Sequence, residues 1–163
     1  MKSLRHILIL LSISLGLASC GVPRYATITS KPDLSKYKYV YITPTSEKTS
    51  VTGRTYGNQY SVFGSTSSKS ISPSDVIAGS FMKHGFVRIP EIKDAQKAQT
   101  LVVNFGESGK IKHVLGYSIE VTIQLLDAAT YELLCSTTAE GMGETETDDV
   151  REATIKCLNA IFQ

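Results

Sequence analysis

From Tyr117 to Leu125 the chain alternates without a slip. Tyr117, Ile119, Val121, Ile123 and Leu125 point one way; Ser118, Glu120, Thr122 and Gln124 point the other. Successive strand residues leave opposite faces, so the pattern predicts a half-buried strand, with an apolar layer over one face of its sheet. Asp127-Ala-Ala-Thr130 turns the chain back, and Tyr131 to Ala139 returns antiparallel. Further strands are expected at Tyr37–Thr43, ended by Pro44, at Phe86–Ile89, closed by Pro90, and at Thr100–Phe105.

Two helices complete the pattern. Ser72-Pro73-Ser74-Asp75 opens the first, with Ser72 as cap and Asp75 completing a capping box. Val76, Ile77, Phe81 and Met82 are expected on its inner side, and Gly85 ends it. The second is expected over Asp148–Phe162, with Val150, Thr154, Cys157, Leu158 and Ile161 on one stripe. Asp94–Gln99 reads as a helical turn. The expected fold is α+β, a two-layer sandwich with a mainly antiparallel sheet and two helices on one face. It forms a single domain over residues 34–163.

Residues 45–72 interrupt that domain as an insertion. Eighteen of these 28 residues are Ser, Thr, Gly, Asn or Gln. Gly57-Asn58 between Tyr56 and Tyr60, Val62 and Phe63 is a two-residue turn signal, so a short hairpin within a mobile insertion is expected. Tyr56, Tyr60 and Phe63 make it a candidate partner-contact surface for protein or glycan.

At the amino end, Lys2 and Arg5 precede an 11-residue apolar run, Ile7 to Leu17. A bilayer span takes about 20 apolar residues, so this run has the form of an export signal, residues 1–19. Leu17-Ala18-Ser19-Cys20-Gly21 resembles the lipobox of bacterial lipoproteins. The resemblance implies alkylation of the Cys20 thiol by diacylglycerol, cleavage before it, and acylation of the freed amine by a fatty acid such as palmitate. At about 0.8 kcal/mol per buried CH₂, two or three chains make a lasting anchor. Gly21 follows the cysteine and no acidic residue precedes Asp33. By the same resemblance this favours the outer membrane, with the domain facing the periplasm. Residues 20–33, with Pro23 and Pro32, read as a lipidated tether.

From Cys20 onward the chain has fifteen Lys and Arg against fifteen Asp and Glu. That balance excludes a nucleic-acid binder built on a strong basic field.

Three segments and the terminal helix carry a further resemblance. Asp33-Leu-Ser-Lys-Tyr-Lys-Tyr-Val-Tyr41, Lys83-His-Gly-Phe-Val87 and Ala98-Gln-Thr-Leu-Val-Val-Asn-Phe-Gly106 resemble a family of small bacterial lipoproteins of unknown function. Their domain is similar to the N-terminal domain of TolB and to modules of envelope-assembly lipoproteins. The resemblance implies a sheet-and-helix fold. It transfers no catalytic residues.

Few residues offer chemistry. His84 sits at a helix C-terminus, where partial positive charge is favourable, and His113 lies among Lys110 and Lys112. Neither has partners at metal-ligand spacing, so no metal site and no cofactor is expected. Gly64-Ser-Thr-Ser-Ser-Lys69-Ser70 lacks the second glycine of a phosphate loop and places its lysine one residue early. Glu107, Glu120 and Glu140 are the only carboxylates considered for hydrolysis, and no catalytic set emerges from them. Cys135 and Cys157 are either a disulfide or two buried thiols. Tyr37, Tyr39 and Tyr41 share one strand face, either as a recognition surface or as cover for the core.

The expected function is a non-enzymatic lipid-anchored module for binding or assembly in the outer membrane and periplasm, with an envelope protein or glycan as partner. The alternative is an envelope hydrolase acting on peptidoglycan or glycan.

Overall fold

The computed structural model describes residues 25–163 apart from 59–60 and 114–115, with the backbone alone between 53 and 66. The expected signal peptide, Cys20, the start of the tether and Tyr60 lie outside the described residues.

The centre of the fold is the strand the alternation predicts. β7 (Gly116–Asp127) buries Ile119, Val121, Ile123 and Leu125 completely. On one side it pairs antiparallel with β8 (Leu133–Gly141), with Val121 opposite Ala139 and Leu125 opposite Cys135. On its other side lies β6 (Thr100–His113), also antiparallel, with Val103 opposite Leu125 and Phe105 opposite Ile123. β6 runs eight residues beyond the expected Phe105. Residues 106–113 carry two glycines and four charged or imidazole side chains, and no sequence period reveals them. The free edge of β7 extends them across a register shift between Glu107 and Lys110.

The fold is α+β, and its six-stranded sheet is mixed. Its order is β1-β8-β7-β6-β2-β5. The short edge strands are β1 (Thr27–Ile28) and β5 (Val87–Arg88), and β2 spans Tyr39–Ile42. β1, β8, β7 and β6 are antiparallel, whereas β2 runs parallel to both β6 and β5. The mainly antiparallel sheet expected from the sequence is corrected on that side. The reason is connection length: between β2 and β5 the chain makes a hairpin and a helix, long enough to cross over and re-enter in the same direction. β1 also shortens the expected tether, because Thr27 and Ile28 already pair with Thr138 and Thr137.

Helix α1 (Pro73–Lys83) buries Ile77, Ala78 and Phe81, and α2 (Glu146–Phe162) buries Val150, Ala153, Cys157, Leu158 and Ile161. These side chains join Val40, Leu101, Val103 and the apolar face of β7 in one core cluster. At about 2 kcal/mol for each large apolar side chain removed from water, this cluster is the principal stabilising term. The rings of Phe86 and Phe162 meet Phe81 edge-on at 5.3 and 5.0 Å.

Two helix starts differ from expectation. Ser72 holds the cap position of α1 but makes no side-chain cap bond; its hydroxyl lies 2.9 Å from that of Ser74, and Asp75 is ion-paired with Arg88. α2 begins at Glu146, two residues early, because the Thr145 hydroxyl accepts from the Asp148 N–H. Tyr37 precedes β2 and turns into the core, so it does not share a strand face with the half-buried Tyr39 and Tyr41.

Candidate functional site

The insertion is a long ladder. β3 (Lys48–Asn58) and β4 (Ser61–Ile71) pair antiparallel from Lys48↔Ile71 to Asn58↔Ser61, with each other as sole sheet partner among the described residues. Each strand has 11 residues, about 35 Å at roughly 3.3 Å per residue. Gly57 and Asn58 are strand residues in this register, not the turn their sequence suggests. The ladder places Tyr56 directly opposite Phe63, so two of the three candidate contact residues share one register position; Tyr60 falls outside the described residues.

An isolated two-stranded hairpin is marginally stable in water, so its base decides whether it stands. That base is fixed to the start of α2. The Thr147 N–H donates to the Ser50 hydroxyl at 3.0 Å, and the Thr147 hydroxyl lies between that oxygen and the Lys69 carbonyl. Lys69 pairs with Asp148 at 3.1 Å. Lys48 reaches Glu107 at 2.9 Å and Glu146 at 3.9 Å, and Lys110 reaches Glu146 at 2.9 Å. These pairs join the hairpin, β6 and α2 in one network. The Thr145 hydroxyl, followed by Lys69, lowers the Asp148 carboxyl, and Glu146 raises Lys110. Beside them Asp149 is buried, which pushes its carboxyl up, while the Gly143 N–H bonded to it acts in the opposite sense.

Of the carboxylates considered for hydrolysis, Glu107 lines a different cavity from Glu120 and Glu140. Glu107 pairs with Lys48. Glu120 and Glu140 face each other across β7 and β8 beside a cavity of about 60 Å³. Ligand pockets are commonly about 300–1,000 Å³, so this one is too small for a sugar residue. Sequence reasoning passed over Ser118, whose hydroxyl lies 2.8 Å from His113 Nε2 and 3.4 Å from Glu140 Oε2. The only sequence signal was proximity, since the two residues flank one tight strand reversal. Ser118 is completely buried, and a nucleophile needs access. His84 stacks flat on Phe162, with centroids 3.9 Å apart and 7° between planes. Among the described residues, no group of three or more His, Cys, Asp or Glu could hold a metal ion.

Cys135 and Cys157 are both free and buried in this structure. The Cys157 thiol points at the carbonyls of Val121 and Thr137, 3.4 and 3.7 Å away. Burial pushes both thiols up to about 11.

No protein-family model and no curated protein matches the chain. Among solved structures it is similar to the PelC dodecamer from Paraburkholderia phytofirmans in a hexagonal crystal form. The identity there is 16% and the TM-score 0.48, over 85% of this chain and 96% of that one. A variant of the same dodecamer in a second crystal form gives 15% and 0.49, over 86% and 95%.

Proposed function

We propose that this chain is a lipid-anchored envelope lipoprotein that works without catalysis, as a binding or assembly module. In this reading an acylated Cys20 holds it in the outer membrane, with the domain facing the periplasm. In this reading the body is a two-layer sandwich with both helices on one face of the mixed sheet. The observation that carries the proposal is the β3–β4 hairpin. It is an arm of two 11-residue strands that, among the described residues, pair only with each other, tied at its base to α2 through Ser50, Thr147 and Lys69. A long hydroxyl-rich ladder adds little to the core, and its docked base suits it to contact with a second molecule. An envelope protein or glycan is the partner class.

In-cell crosslinking of the lipidated protein tests this, with a photoreactive residue at Tyr56 or Phe63 and a second variant lacking residues 51–66. Retained folding with loss of the crosslinks is the expected result. Unchanged crosslinks in the deletion variant remove the arm from the contact surface. A Cys20→Ala chain that matures and fractionates like the parent removes the anchor.

A further inference from the structure

α1 and α2 lie side by side, and the groove between them encloses about 420 Å³. Its lining is mixed: Val76 on one helix and Leu158 on the other are apolar, and Ser80 and Asn159 are polar. Ile155, 42% exposed, stands on the α2 rim. The charged rim is one-sided. Asp75 is ion-paired with Arg88 at 3.0 Å, whereas among the described residues Lys83 and Arg151 have no ion pair within 4 Å, Arg151 acting on Asp148 only at longer range.

Gly79 makes the groove unusual. It occupies the middle of α1, where glycine costs about 1 kcal/mol relative to alanine. No positive φ requires it, and a Cβ there would meet nothing within 4 Å. The missing side chain therefore serves neither backbone geometry nor packing inside this chain. What it leaves is depth in the groove, between two unpaired cations.

We propose that this groove docks an acidic amphipathic helix of a partner protein. An aliphatic side chain of the partner lies over Gly79, and flanking carboxylates meet Lys83 and Arg151. A third helix laid against two packed helices inserts its ridge into the groove between them, with anchors at i, i+3 or i+4 spacing. The charge left over on the rim selects the partner's sign. A bilayer fits poorly: the surface is concave, and each cation adds only about 1 kcal/mol at an anionic membrane. This surface is separate from the β3–β4 arm, so either can fail alone.

The probe is a stapled helical peptide with a leucine stripe flanked by glutamates, titrated against the full mature chain. Its control carries lysine in place of each glutamate. The acidic peptide is expected to bind with salt-sensitive affinity, at least about tenfold weakened by Arg151→Glu. The double variant Lys83→Glu/Arg151→Glu should prefer the lysine peptide. Gly79→Ala should raise the melting temperature and weaken binding together; Gly79→Leu should abolish binding in a folded protein. Equal binding of both peptides, no binding at millimolar concentration, or full binding by folded Gly79→Leu overturns the proposal. So does binding to phosphatidylglycerol vesicles that Lys83→Glu/Arg151→Glu abolishes without any effect on the acidic peptide.

Discussion

The phenol of Tyr37 donates a 2.8 Å hydrogen bond to the carboxylate of Asp127, joining the approach to β2 to the end of β7 across 90 residues of sequence. Lys36 reaches the same oxygen at 2.9 Å, and the N–H groups of Ala129 and Thr130 donate to the other one. Bonds from Lys36 and then Tyr37 hold the carboxyl well below the usual carboxylate range. An unfolded aspartate titrates near 3.9. The contribution is therefore complete above about pH 4 and is lost as the pH falls towards the folded value. Tyr37→Phe should cost about 1.5 kcal/mol and Asp127→Ala about 3 kcal/mol at pH 7 by denaturant unfolding. The gap between Asp127→Asn and the parent should narrow below pH 4. A gap constant down to pH 2 would show that the carboxylate is not ionised by these partners.

Cys135 and Cys157 should be silent to thiol reagents in the native protein and should both react after guanidinium unfolding without reductant. Recovery of no thiols after unfolding would establish a bridge. Because burial raises both groups to about 11, they favour the folded state fully below the unfolded value near 9. That contribution fades as the pH climbs through 11, so alkaline unfolding should begin earlier than in the Cys135→Ala/Cys157→Ala protein.

Gly141 is the end of β8, and a Cβ there would stand 1.8 Å from the Asp149 carbonyl oxygen. The backbone of α2 cannot yield that much. Gly141→Ala should destabilise by about 3 kcal/mol. Gly106→Ala, whose Cβ would sit an ordinary 3.9 Å from the Thr122 carbonyl, should change stability far less. Thermal unfolding of the pair checks the contrast; similar midpoints would mean that the β8–α2 approach is looser than described.

The hairpin base makes a local prediction. Ser50→Ala or Thr147→Val should cost about 1 kcal/mol each. Amide exchange should quicken at residues 48–52 and 67–71 while β6 and β7 keep their protection. Uniform quickening across the sheet would mean that the hairpin and body open as one unit.

What sequence alone determined here is what neighbouring residues enforce. The alternation over 117–125 places β7, the 150–161 stripe orients α2, and the aromatic and β-branched run before Pro44 marks β2. The hydroxyl-rich 45–72 segment was legible as a hairpin, though its turn was misread at Gly57-Asn58, because every residue in such a ladder is equally at home in a strand or a turn. The candidate contact residues Tyr56 and Phe63 were found by composition; only the register set them opposite each other. Tertiary structure decided everything that depends on distant partners. β2 lies parallel to β6, Tyr37 leaves the strand for Asp127, and the arm is clamped to α2 by Ser50 and Thr147. The same holds for Gly79, an ordinary helix residue until a second helix makes the space beside it a groove. Periodicity records which way a side chain points; only the closed fold supplies what it meets there.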